Sequence, residues 1–241
     1  MSNILDTILK SIGKGQKLLA VLIDPDKVEF SNLPNFIKKV NDSVATYVFV
    51  GGSTVKEEDC NSVVSEIKKH TQLPIVLFPG DVTQITGKAD ALLFLSLISG
   101  RNPDYLIDKH VHAISKLKQT NLEVIPTGYI LIENGKETSV QKVTKTVPLP
   151  RKNVQEIVDT AIAGELLGMK LIYLEAGSGA TEAVTAEIIN AVKKKLRIPL
   201  IVGGGIRNKK QLLNAYNFGA DLVVIGTAFE EDETFFNKIK E

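Results

Sequence analysis

Cysteine is almost absent from this sequence. Cys60 is the single one, so neither a disulfide framework nor a cysteine-based metal site can be built, which suits a reducing cytoplasm. Charge of one sign is lacking too: 29 Lys and Arg face 28 Asp and Glu, a net charge of +1. No global field gathers nucleic acid, and any anion must be bound locally. Long apolar runs are missing. The longest, Ala91 to Ile98, falls far short of the ~20 residues a membrane-spanning helix needs. The opening MSNILDTILKSIGKGQK has helical periodicity but no basic start, long apolar run or small-residue cleavage site, so no secretory leader is expected. Low-complexity tracts, linkers and repeats of clean period are also absent. The three histidines, His70, His110 and His112, fall in expected crossover helices, away from strand ends, and none stands at ligand spacing from a cysteine or carboxylate. They read as surface or packing residues. The run Lys193-Lys194-Lys195 reads as a solvated helix end rather than a nucleic-acid patch.

What is present is an ordinary globular composition, 44% hydrophobic and 24% charged, able to bury a large core. The length of 241 residues is close to the roughly 250 of one α/β barrel, and one domain spanning 1–241 is expected. Eight short apolar runs recur: Leu18 to Ile23, Thr46 to Val50, Ile75 to Phe78, Ala91 to Leu95, Leu122 to Ile125, Leu171 to Glu175, Leu200 to Val202 and Leu222 to Ile225. Such runs are the pattern of parallel strands buried on both faces. Helical stretches alternate with them, at Leu33 to Val40, Glu57 to His70, Pro103 to Gln119, Asn153 to Leu167, Thr181 to Leu196 and Lys209 to Phe218. A closed (β/α)8 TIM barrel follows. Between the third and fourth runs DVTQITGKAD is too short for a full crossover helix, so that helix is expected to be shortened or missing. After the fifth run the chain makes an excursion, Tyr129 to Val147, in which Asn134-Gly135 between apolar or β-branched segments predicts a hairpin. The excursion could cover the barrel mouth or meet another subunit.

Active sites of such barrels lie where strands end, and the glycines cluster there. Glu175 to Gly179 (EAGSG) follows the sixth run, Gly203-Gly204-Gly205 the seventh, and Gly226-Thr227 the eighth. Without a Cβ, glycine lets backbone N–H groups approach an anion, and a following helix N-terminus favours it further. Three such loops in adjacent register point to a monophosphate; any one alone would more often be a tight turn. After the first run stands Asp24-Pro25-Asp26-Lys27. Magnesium takes one or two carboxylates with water and phosphate oxygens, so Asp24 with the Ser53 hydroxyl would suffice, although an Asp-Pro turn without metal fits equally. Glu175, beside the phosphate loop, suits a general base or a structural ion pair. Tyr173, on the same strand face, could orient a substrate or fill the barrel. Arg207 could touch phosphate or simply open a helix.

Together the motifs LIDPDK, VGGST, LFPG, SLISGRNPDYLI, PTGYILI, YLEAGSGA, VGGGIR and VIGTAFE resemble the geranylgeranylglyceryl phosphate synthases and the related heptaprenylglyceryl phosphate synthases, and look closer to the archaeal-type branch. GGGIR occurs in many phosphate-binding barrels, whereas YLEAGSG with DPDK and SGRNP is much more specific. The resemblance implies a barrel with one modified crossover helix and transfer of a prenyl group, geranylgeranyl by expectation, from its diphosphate to the 3-hydroxyl of sn-glycerol 1-phosphate, the first ether bond of archaeal-type lipids. It implies that glycerol phosphate lies on Tyr173, Leu174, Glu175, Ala176, Gly177, Ser178, Gly179, Gly203, Gly204, Gly205, Gly226 and Thr227, that Asp24 and Ser53 hold Mg2+, and that Glu175 takes the proton of the attacking hydroxyl. A homo-oligomer, a dimer or a ring of dimers, is implied as well. One departure is Leu22, where the bacillary branch carries lysine; Lys27 could supply a phosphate contact instead. The rival reading is another phosphate-binding barrel, a sugar-phosphate isomerase or aldolase, with no prenyl groove. A third is a barrel that binds a phosphorylated metabolite without catalysis.

Overall fold

The computed structural model describes residues 3–53, 57–232 and 234–239; Thr54 of the VGGST motif lies outside them. Its frame is a closed barrel of eight parallel strands hydrogen-bonded in chain order, with the last strand returning to the first. The strands are β1 (Leu18–Ile23), β2 (Tyr47–Val50), β3 (Ile75–Leu77), β4 (Ala91–Leu97), β5 (Glu123–Leu131), β6 (Leu171–Glu175), β7 (Leu200–Gly203) and β8 (Leu222–Ile225). Their side chains alternate between two apolar layers, as the period of a strand requires. Leu18, Ala20, Tyr173, Ile201 and Val224 fill the barrel interior, whereas Leu19, Val21, Leu174, Val202 and Ile225 pack outward against helices. Burial on both faces is why the strands read as unbroken apolar runs.

The surrounding helices are α1 (Ile4–Gly13), α2 (Leu33–Asn41), α3 (Glu57–His70), α4 (Lys109–Leu117), α5 (Ser139–Thr144), α6 (Val154–Leu166), α7 (Ala186–Lys193), α8 (Lys209–Asn217), α9 (Thr227–Glu231) and α10 (Phe235–Lys238). None among the described residues is long and apolar enough to cross a membrane. The expected helix from Thr181 begins only after its N-cap Thr185, whose hydroxyl accepts the Ile188 N–H. The stretch from Pro103 opens instead as one π-helical turn, Asp104–Asp108, before α4. Helix α1 closes the barrel floor, with Ile4 and Ile8 in the interior layer. Glu123 fixes it by accepting the N–H groups of Ile4 and Leu5, an arrangement that also matches a carboxylate to the positive end of a helix.

The connection after β3 is shortened as expected, to a 3-10 turn at Val82–Gln84. Its effect on the wall is larger than the sequence suggested. β3 pairs with β4 only at Val76 with Ala91 and Leu77 with Leu92, while β4 continues to Leu97 against β5. The barrel is therefore open above Leu92 on that side.

The hairpin expected at Asn134-Gly135 does not form. β5 runs six residues past Ile125 and carries Pro126, whose carbonyl accepts the Lys170 N–H. Ile132 then bridges Leu149 in parallel, and Gly135, at φ +89, leads into α5. Two local interactions defeat the return strand. Asn134 is buried and donates its amide to the Ala176 carbonyl, while Thr138 and Gln141 form a reciprocal capping box that starts a helix.

Candidate active site

The C-terminal ends of the strands surround a cavity of about 280 Å³. Its polar limb is built by the loops after β1, β2, β6, β7 and β8, and Asp24, Lys27, Ser53, Glu175, Gly177, Ser178, Gly179, Gly204, Gly226 and Thr227 all face it. The separate strand ends of the sequence thus converge on one rim. Tyr173 also lines the cavity, but Leu174 and Ala176 belong to the outer apolar layer, and neither they nor Gly203 and Gly205 reach the cavity surface. Arg207 is exposed and does not line the cavity either; its backbone N–H donates to Gln211.

Glu175 occupies the junction. It is 6% exposed, and its Oε1 accepts the Gly177 N–H at 2.5 Å. Burial pushes its carboxyl up to about 7, against the lowering effect of that N–H. A carboxyl poised there can exchange a proton near neutral pH. The glycines make the close packing possible. A Cβ on Gly204, which sits at φ +82, would overlap Glu175 Oε1 and stand 2.6 Å from the Gly177 nitrogen; one on Gly203 would overlap the Tyr173 hydroxyl. That hydroxyl is buried and lacks a partner at full hydrogen-bond geometry among the described residues; it faces the Glu175 carboxylate, whose pKa it helps to lower, and a substrate hydroxyl or phosphate oxygen could complete it. Below, Phe78, Tyr129 and Tyr173 meet with ring centroids 5.3 to 5.9 Å apart. At the opposite wall Gly226 precedes α9 with no side-chain cap, leaving first-turn N–H groups to meet an anion.

Across the mouth from Glu175, Asp24 Oδ1 accepts the Asp26 N–H at 3.2 Å, and Oδ2 faces the Lys27 ammonium at 3.7 Å. Burial pushes Asp24 above the ordinary carboxylate range. Lys27 does not point freely at the phosphate loops: its closer partner is Glu230, at 2.9 Å. No cluster of three or more His, Cys, Asp or Glu suited to a metal occurs among the described residues. The oxygen donors Asp24 and Ser53 nevertheless fit a magnesium ion that takes its remaining ligands from water and phosphate.

The cavity's second limb is apolar and leaves through the opening between β3 and β4. Leu93, Leu97 and Tyr129 line it inside the barrel; Ile85, Leu92, Phe94 and Ala113 line it beyond the wall. His110 stands there too, 8% exposed, with Nε2 3.1 Å from Ser96 Oγ and its ring edge-on to Phe94. Burial holds it below the usual histidine range, which suits an apolar wall. The packing role read from sequence is correct, but His110 also belongs to the cavity. His70, by contrast, does meet a carboxylate: its Nε2 stands 3.2 Å from Glu66 Oε1 on α3, a local contact that follows from one-turn spacing on a helix.

Sequence reading missed Gln84, Glu230 and the cavity-facing residues of α4; Ser139, Val140, Val143 and Thr144 of α5 line the cavity from within the excursion that could cover the mouth. Gln84 is 1% exposed. It donates to the Gly52 carbonyl at 2.8 Å and accepts from the Gly80 N–H at 3.1 Å, so it positions the loop that carries Ser53. A polar residue inside an apolar, helix-poor connection was its only signal.

The model of the PcrB family matches residues 14–241. Geranylgeranylglyceryl phosphate synthase of Flavobacterium johnsoniae is 55% identical over 237 residues, 98% of each chain. That of Zunongwangia profunda is 54% identical over 233 residues, 97% of this chain and 99% of its own. The crystal structure of (S)-3-O-geranylgeranylglyceryl phosphate synthase from Thermoplasma acidophilum in complex with substrate sn-glycerol-1-phosphate superposes with a TM-score of 0.93 at 30% identity, covering 100% of this chain and 96% of its own.

Proposed function

Because the chain belongs to the PcrB family, we propose that its two-limbed cavity joins a geranylgeranyl group, taken from its diphosphate, to the 3-hydroxyl of sn-glycerol 1-phosphate. The chain is a prenyltransferase like its geranylgeranylglyceryl phosphate synthase relatives, rather than a sugar-phosphate isomerase or aldolase of the same fold. The observation that carries the reading is the place of Glu175. Its buried carboxyl stands where a polar limb of glycine loops meets an apolar limb that exits the barrel, so an anionic acceptor and a greasy donor can lie side by side.

In this reading the glycerol phosphate rests its phosphate on the loops around Gly177, Gly204 and Gly226, with Tyr173 against the glycerol. Its 3-hydroxyl points at Glu175. The allylic C–O bond of the donor breaks with its electron pair leaving on diphosphate, the hydroxyl oxygen bonds to the allylic carbon, and the hydroxyl proton passes to Glu175. Asp24 and Ser53 would hold Mg2+, which when bound neutralises charge on the departing diphosphate. The chain's own contribution is position: two reactants held in contact range with a base in reach, in a site from which the apolar limb excludes water. The catalytic unit spans 1–241 and acts in the cytoplasm as a homo-oligomer.

The test is to supply purified protein with glycerol 1-phosphate or glycerol 3-phosphate, magnesium, and a series of prenyl diphosphates. Ether product from the 1-phosphate, lost on adding a chelator, is expected. Absence of prenyl ether from every pair, or release of a rearranged sugar phosphate without magnesium, overturns the reading.

A further inference from the structure

An ion pair spans the apolar limb. Asp81, the N-cap of the 3-10 turn at Val82–Gln84, meets Lys109, the first residue of α4, and both side chains line the cavity. The two walls they join are otherwise held by apolar packing around Val82, Ile85 and Ala113. The 3-10 turn replaces a crossover helix, and a three-residue turn has little stability of its own. Each partner is fixed from behind: Asp81 Oδ1 accepts the Thr83 N–H at 3.1 Å, and the Lys109 ammonium lies 5.0 Å from the Tyr105 ring centroid. Although burial works against both charges, the pairing holds Asp81 below and Lys109 above its ordinary range. Farther down α4, Lys116 Nζ reaches the carbonyls of Val82 and Thr83 at 3.4 and 3.3 Å, a second tie in the same direction. With side chains 33% and 30% exposed, an isolated pair of this kind contributes little to global stability. Its placement is what distinguishes it.

We propose that the Asp81–Lys109 pair bridges the walls of the prenyl groove and is a positioning and specificity element for long-chain donors. It clamps the short turn after β3 to α4, so that the gap left by the missing helix keeps the width of one extended prenyl chain. The inference rests on the prenyltransferase reading above. It makes Lys109 a groove residue rather than a diphosphate ligand, and these two roles respond differently to donor length. A bridge over the apolar limb matters to a donor that fills that limb and not to one that ends at its entrance.

The experiment compares wild type, Asp81→Asn, Lys109→Gln and the double variant, measuring kcat and KM with dimethylallyl and geranylgeranyl diphosphate and KM for glycerol 1-phosphate. Asparagine retains the cap, so the turn keeps its start. The expected result is a rise of about tenfold in KM for the long donor in each single variant. The double variant should rise no further, as two partners of one interaction require. The short donor and glycerol phosphate should be unchanged. An equal rise for both donors assigns Lys109 to the diphosphate and overturns the proposal, as do additive effects or unchanged kinetics. A wild type that transfers prenyl from neither donor removes the reaction assignment and this proposal together, whereas normal transfer with unaltered variants removes the bridge alone.

Discussion

Glu175 is asked to be both buried and ionised, and these demands conflict. With its carboxyl raised from 4.5 to about 7 by burial, the folded protein binds a proton there that the unfolded chain has already released. Between pH 4.5 and 7 this group therefore subtracts stability as pH rises, on the order of 3 kcal/mol once both states are ionised. Glu175→Gln removes the ionisation and should melt higher than wild type at pH 8, with the difference shrinking toward pH 4; equal melting temperatures at both pH values would show that the carboxyl is not raised. The same substitution should lower kcat by about 10²- to 10⁴-fold, the contribution of a positioned base. In wild type, kcat/KM should climb through about pH 7 as the carboxylate forms. Glu175 was legible because it ends an apolar run just before a glycine loop. Its raised pKa was not, since that depends on the packing of Tyr173, Gly203 and Gly204 around it.

Elements were legible where one local force dominates. The eight runs became strands because burial on two faces leaves a signal in every residue, and the short span after Phe78 could hold no full helix. The failures lie where a side chain is committed to a distant partner. Asn134 reads as a turn former, yet its amide is spent on Ala176, and the Thr138–Gln141 cap turns the chain into α5. Gln84 is the same kind of case: nothing adjacent in sequence reveals that it holds Gly52 and Gly80. Replacing it with leucine should leave the Gly52 carbonyl and the Gly80 N–H without their partner and cost about 1–3 kcal/mol. Because Ser53 rides on that loop, the half-saturating magnesium concentration for turnover should rise as well. Chemical denaturation with a magnesium titration checks both, and a variant with reduced stability but unshifted magnesium dependence would separate Ser53 from the metal.

At the scale of the molecule, the two faces of α4 carry different duties. Its inner face presents His110 and Ala113 to the groove. Its outer side, with the π turn before it, leaves Ile107, Val111 and Ile114 exposed at 56%, 61% and 43%, spaced four and three residues apart and so forming one stripe. An apolar stripe of this kind favours covering by a second copy, since homo-oligomers close through self-complementary patches. Val111→Asp places a charge in the middle of the stripe without touching the cavity. Sedimentation velocity should show wild type heavier than one chain and this variant at the mass of one chain. If the stripe also steadies α4, loss of the partner should loosen the groove from behind, so KM for the long prenyl donor should rise at low enzyme concentration while KM for glycerol phosphate stays constant. A variant that becomes monomeric with unchanged donor kinetics would leave α4 rigid without a partner, held from the inside by the Asp81 and Lys116 ties and by the packing of His110 and Ala113.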